Sequence, residues 1–173
     1  DGPAYVLPTA DKDMRSARFF PAALLSYGQN ILSGGDRQGA NEEAIIFRRE
    51  DGERRVVTWQ QLAEDSLALA TFLKGAGVGP QDRVAAWMPN VPETIVAMVA
   101  TSILGATFTS TSPDFGVAGV LDRFGQVRPT VLIAADGYVY ANRRHTRLDR
   151  LAEVVAGLPS LEAVIVHGEL DAQ

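Results

Sequence analysis

At 173 residues, with 46% apolar and 21% charged side chains, the chain has the size and composition of an ordinary soluble globular protein with one well-filled core. Its 16 basic and 21 acidic residues leave a net charge of -5, which offers no general field for a polyphosphate backbone and argues against a nucleic-acid partner. The absence of cysteine excludes disulfides, thiolate metal sites and cysteine nucleophiles and is compatible with a reducing cytoplasm, while two histidines are too few for a histidine-rich metal cluster.

Residues 1–20 lack a basic region followed by an apolar run, so they read as a surface arm and not as a secretory signal. A short helix is expected from Ala22 to Leu32, stopped by Gly34 and Gly35. Ala44–Arg49 and Arg54–Thr58 are β-prone runs flanking Glu50-Asp51-Gly52-Glu53, whose Asp-Gly pair suits a hairpin turn. Thr58 with Gln61 forms a capping box that opens a helix through Lys74, with Leu62, Leu69 and Leu73 on one side. Gly75, Gly77, Gly79 and Pro80 end it. Those glycines resemble the start of a dinucleotide fingerprint, but they follow a helix instead of a strand, and Pro80 stands where the third glycine belongs.

Val84–Met88 is a short apolar strand, broken by Pro89 and Asn90. Pro92 sits where a first helical turn tolerates a missing N–H, and Glu93 places negative charge at the helix's positive end. Ile95, Val96, Met98, Val99, Ile103 and Leu104 cover more than one face, which predicts a largely buried helix ended by Gly105. A second strand follows. The uncharged run Thr94–Pro113 approaches the length of a membrane span, but Gly105 and the Thr and Ser residues of its second half oppose that reading, and no membrane partner is expected. Gly116–Val127 reads as a helix, Val131–Ala135 as a buried strand, Asp136–Arg147 as a polar loop or linker, Leu148–Leu158 as a helix and Ala163–Val166 as a last strand. Strands alternating with helices predict an α/β fold: a mostly parallel, doubly wound sheet with an N-terminal helix and a β-hairpin.

Two segments carry possible chemistry. Thr109–Gly116 lies between the carboxyl end of a strand and a helix N-terminus, where open α/β sheets bind ligands; the same residues also suit a simple cap in which Ser112 or Asp114 satisfies orphan amides. In Asp136–Arg147, Arg143, Arg144 and Arg147 concentrate positive charge suited to a phosphate, or form a solvated face; Tyr138 and Tyr140 either stack on a base or anchor the loop. There is no G-x-x-x-x-G-K-[ST] loop, no G-x-S-x-G elbow, and no catalytic residue or metal ligand that the sequence singles out.

The succession TWQQLAEDSLALATFLKGAGVGPQDRVAAWMPNVPETIVAMVATSILGATFTSTSPDF closely resembles the N-terminal part of the adenylate-forming enzymes, the acyl-CoA synthetases and their relatives. Its grammar is a T-W-x-x-L helix, then G-V-x-x-x-D-R-V-A, M-P-N-x-P-E and L-G-A. SPDFGVAGVLDRFGQVRPTVLIAADGYVYANRR, with the earlier ARFFPAALLSYGQNIL, is most similar to the branch that acts on acetoacetate. The resemblance implies that residues 21–173 are an incomplete N-terminal portion of an AMP-binding domain, with the remainder of the same enzyme as partner. It implies ATP and coenzyme A as substrates, magnesium bound by ligands outside this chain, and a cytoplasmic ligase of lipid metabolism. By similarity, Ser112, Pro113, Asp114 and Phe115 line a coenzyme A channel and Arg143, or Arg144 by a one-residue shift, meets the nucleotide's 3′-phosphate. The family's Ser/Thr/Gly-rich loop ending in Pro-Lys, its adenosine-holding motifs and its C-terminal lysine do not occur in these 173 residues, so the chain alone is expected to be inactive. The alternative is an α/β binding or interaction module that kept the scaffold and lost the chemistry.

Overall fold

The computed structural model describes residues 5–6, 18–19 and 23–170. Of the expected arm it describes only β1 (Tyr5–Val6) and β2 (Arg18–Phe19), which pair antiparallel. The helix expected from Ala22 begins later, as α1 (Tyr27–Leu32), because Ser26 is extended and its hydroxyl accepts from the Gln29 amide; Ala22 itself lies outside the described residues. The two glycines expected to stop it instead open a short second helix, α2 (Gly34–Gln38). Gly34 is needed there for space: a Cβ would stand 2.4 Å from the Trp59 ring.

β3 (Glu43–Arg48) and β4 (Arg54–Thr58) form the expected hairpin, with Gly52 at a φ of 94° in its turn. The capping box is present in both directions and opens α3 (Trp59–Gly75). This helix ends in a Schellman arrangement: the Gly77 amide donates to the Lys74 carbonyl and the Val78 amide to Leu73, with Gly77 at a φ of 89°. Val78 and Leu73 are both buried in one core, the hydrophobic contact that accompanies this motif. The glycine run is thus a helix terminus, with the Gly79 amide held by Asp82.

A four-stranded parallel sheet follows, built from β5 (Arg83–Trp87), β6 (Thr107–Thr111), β7 (Val131–Ala135) and β10 (Ala163–His167) in the spatial order β10-β7-β5-β6. Alternation along β5 and β7 divides the core in two. Val84, Ala86, Val131, Ile133 and Ala135 face α3 and the long buried helix α4 (Pro92–Ile103). Ala85, Trp87, Leu132 and Ala134 face α5 (Val117–Val127) and α6 (Leu148–Gly157) on the other side. β7 and all of β5 after Arg83 are apolar because both of their faces are covered. α4 packs against α1 and α3 as well as the sheet, which explains an apolar surface wider than one stripe. Two of its hydroxyls are internally satisfied, the buried Thr101 donating to the Ala97 carbonyl and the half-buried Ser102 to Met98. Among the described residues no helix is long and apolar enough to cross a membrane.

The segment expected as a polar loop, Asp136–Arg147, is a second hairpin: β8 (Gly137–Tyr140) and β9 (Arg143–Thr146). Its two-residue turn holds Ala141 and Asn142 at φ values of 50° and 55°. That loop type favours Asn-Gly, so Ala-Asn is a weak sequence signal for it.

Candidate functional site

The order β10-β7-β5-β6 places β6 on one side of β5 and β7 on the other, so the crevice between the carboxyl ends of β5 and β7 is the topological switch point of the sheet. Two insertions meet around it. The β3–β4 hairpin lies across the crevice, and a cavity of about 220 Å³ remains between Arg48–Glu50, Pro89–Val91, Tyr138 and Glu169. The β8–β9 hairpin rises from the end of β7.

Ion pairs fasten the first hairpin. Arg49 reaches Asp51 at 2.8 Å, Glu53 at 2.6 Å and, across the crevice, Glu169 at 3.0 Å. Arg55 grips both Glu93 carboxylate oxygens, at 2.7 and 3.2 Å, on the first turn of α4. His167, the last residue of β10, lies 3.3 Å from Glu169 and 3.9 Å from Glu93. The Glu169 hydrogen bond lifts the imidazole pKa above its ordinary value against the opposing effect of burial. Burial, the largest single influence, pushes the Glu93 carboxyl up, but the Arg55 hydrogen bond and charge, its own backbone amide and His167 together outweigh it and the net shift is downward. The spacing of these residues along the chain gave no sign of the network: Arg49 and Glu169 are 120 positions apart.

The Ser112–Phe115 loop leaves β6 beside this crevice. The Ser112 hydroxyl donates to the Asp114 carboxylate at 3.0 Å and accepts from the Asp114 amide. Neither side chain caps α5, whose N-cap is Gly116 without a side-chain bond, so the expected cap is replaced by a self-contained turn. Two carbonyls of the loop are held by side chains from the body of the domain. Trp87, 1% exposed, donates its indole N–H to the Ser112 carbonyl at 3.2 Å, and Arg147 donates Nε–H to the Pro113 carbonyl at 3.0 Å. Phe115 projects outward with the Arg123 guanidinium 4.3 Å above its ring. Gly119 leaves room for that ring, because a Cβ would lie 3.1 Å from Phe115.

The same Arg147 donates to the Tyr138 hydroxyl at 2.7 Å and lies 4.8 Å over its ring. Burial, then the hydrogen bond to Asp114, push the Tyr138 phenol pKa up. Tyr138 is therefore an anchor, while Tyr140 is 61% exposed. The structure thus joins Ser112–Phe115 to the base of the β8–β9 hairpin, at Tyr138 and Arg147.

Arg143 and Arg144 stand at the other end of that hairpin. Cross-strand pairing puts Tyr138, Tyr140, Arg143 and His145 on one face, with the Tyr138 and His145 rings stacked at 5.1 Å. Arg144 falls on the opposite face and donates to the Leu170 carbonyl. A shift of one residue changes the face, so the three arginines do not form one cationic patch. The residues missed by the sequence reading are Trp87 and Arg147 as holders of the loop. Trp87 was legible only as a strand residue, and the role of Arg147 depends on a hairpin not foreseen. Among the described residues no group of three or more His, Asp or Glu side chains is placed to hold a metal ion.

Comparison with known proteins matches this architecture to a defined group. Residues 35–172 match the family model described as AMP-binding enzyme. The chain is 44% identical over 153 residues to acetoacetyl-coenzyme A synthetase of Rhizobium meliloti (strain 1021), covering 88% of this chain and 23% of the relative. It is 38% identical over 150 residues to a malonamoyl-CoA synthetase of Penicillium aethiopicum, covering 86% of this chain and 21% of the relative. Among solved structures, acetoacetyl-CoA synthetase from Streptomyces lividans superposes with a TM-score of 0.86 at 40% identity, over 92% of this chain and 25% of that one. The chain therefore spans about a quarter of the length of the relatives it matches. The family match over most of its length and the structural likeness show that this chain belongs to the AMP-binding enzymes.

Proposed function

We propose that the chain is the N-terminal part of an ATP-dependent acid–thiol ligase whose acid is acetoacetate. The observation that carries this reading is the 44% identity to an acetoacetyl-coenzyme A synthetase, supported by 40% identity at a TM-score of 0.86 to a second one. In the proposed reaction an acetoacetate carboxylate oxygen attacks the α-phosphorus of ATP and the bond to pyrophosphate breaks. The thiol of coenzyme A then attacks the acyl carbon, AMP leaves, and the thiol proton is released. The first step turns a poor leaving group into a good one, and its developing charge needs donors that these 173 residues do not supply. The chain alone is accordingly inactive, and its role is scaffold and one wall of the thiol channel. Ser112, Pro113, Asp114 and Phe115 form that wall, with Phe115 and Tyr140 as exposed apolar surface. Arg143 meets the 3′-phosphate of coenzyme A, its face shared with Tyr140, and Arg144 looks to the other side.

The test is acid-dependent ATP–pyrophosphate exchange by the full-length parent enzyme with acetoacetate, malonamate, acetate and butyrate. Acetoacetate gives the highest kcat/KM if the reading holds, and exchange with none of the acids overturns it. In the same enzyme Arg143→Ala raises the KM for coenzyme A about tenfold, as removal of one charge-assisted phosphate hydrogen bond should, and leaves the KM for ATP unchanged. Equal effects on both constants remove Arg143 from the site.

A further inference from the structure

Arg147 occupies a joint. Its amide donates to the Asp136 carbonyl at 2.7 Å and its own carbonyl accepts from the Leu151 amide at 2.8 Å, so its backbone is fixed between the end of β9 and the first turn of α6. Its side chain leaves that joint in two directions at once, through Nε to the Pro113 carbonyl and through a terminal nitrogen to the Tyr138 hydroxyl. Pro113 is buried, Tyr138 is 8% exposed and Arg147 is half-buried, so both interactions are partly shielded from water, which strengthens hydrogen bonds from a charged donor. Tyr138 in turn shares a hairpin face with Tyr140 and Arg143.

We propose that Arg147 is a positioning residue that, with Tyr138, locks the Ser112–Phe115 loop and the Tyr140/Arg143 face of the β8–β9 hairpin into a single rigid wall for the thiol substrate. The proposal rests on the thiol-channel reading above. Neither segment is braced this way by backbone pairing: the loop has left β6, and the hairpin pairs only with itself. The guanidinium fork fits the task because its donors point in fixed directions to two separate acceptors. A lysine in its place carries all its donors on one nitrogen and cannot reproduce the spread geometry of the fork. The brace orders surfaces before the substrate arrives, so its removal raises the entropy cost of binding and leaves the activation of the acid alone.

The experiment uses the full-length parent enzyme with Arg147→Ala, Arg147→Lys, Tyr138→Phe and the Arg147→Ala/Tyr138→Phe double variant. Backbone amide exchange by mass spectrometry and the two half-reactions are read on each. In Arg147→Ala, exchange over residues 112–116 accelerates while the interior of α6 stays protected. The KM for coenzyme A rises up to about tenfold, the order expected when a side chain ordered in advance must instead be ordered on binding. ATP–pyrophosphate exchange stays within about twofold of the parent. Arg147→Lys falls between the two, and the double variant matches Arg147→Ala, because both groups belong to one brace. Equal acceleration over 112–116 and α6, parallel decline of both half-reactions, or additive effects in the double variant each overturn the proposal. A parent enzyme that exchanges pyrophosphate normally, beside an Arg147→Ala with unaltered thiol kinetics, refutes the brace alone. A parent with no exchange on any acid refutes the reading beneath it.

Discussion

His167 lies against both carboxylates that anchor the first hairpin, Glu169 at 3.3 Å and Glu93 at 3.9 Å. A pKa raised in the folded state means that folding tightens the hold on the proton, so the stabilising contribution is complete below the ordinary value of 6.5 and is lost as pH rises through the folded value. Glu93 behaves oppositely, since its folded value is depressed. Its contribution is present above the ordinary 4.5 and is lost as pH falls through the folded value. The two together contribute in full between those two ordinary values, 4.5 and 6.5. We expect the unfolding free energy from urea titration to decline from pH 6.5 toward pH 8, and His167→Gln to flatten that decline. A variant that falls as steeply as the parent chain contradicts the assignment.

At the scale of elements, docking is governed by a few close approaches. α1 lies so near α4 that a Cβ on Gly28 would stand 2.8 Å from the Ile103 backbone nitrogen and 2.9 Å from the Val99 carbonyl oxygen. Backbone atoms cannot yield as a flexible side chain does, so Gly28→Ala should cost about 1–3 kcal/mol, seen as a lower denaturant midpoint at unchanged m-value. The elements most legible in the sequence were those whose cause is local. The Thr58/Gln61 box, the Gly77 and Gly105 terminations and the doubly buried β5 and β7 all announce themselves within a few residues. The start of α1 was misplaced because Ser26, a modest cap, lies inside a run that is apolar on both sides. The β8–β9 hairpin was missed because Ala141 adopts a positive φ that its side chain disfavours, and because Asn142–Thr146 is polar at every position as in any solvated loop. Of the candidate site, the Ser112–Phe115 loop was legible from its place after a strand. The opposition of Arg143 and Arg144 was not, since it follows only from strand pairing.

For the whole molecule, we expect the outer strand β10 to govern association. Among the described residues no strand pairs with its outer edge, and Val164 and Val166 are 38% and 49% exposed. An uncovered edge bearing apolar side chains is a template for pairing with another copy. Sedimentation velocity on the 173-residue chain should show concentration-dependent association, and Val166→Lys should suppress it. Association that is insensitive to this substitution would locate the interface elsewhere, for instance at Leu67 and Phe72 on the exposed side of α3.

The ion pair between Arg49 and Glu169 has a consequence in time as well as in space. A chain made from its N-terminus completes the β3–β4 hairpin early, yet the carboxylate that pins it across the sheet arrives 120 residues later. The Arg55–Glu93 pair offers a nearer anchor, 38 residues on. Synthesis from the N-terminus therefore supplies the hairpin residues first, the Glu93 anchor with α4 and the Glu169 latch only after β10, so the contact that closes the crevice waits on the last described strand.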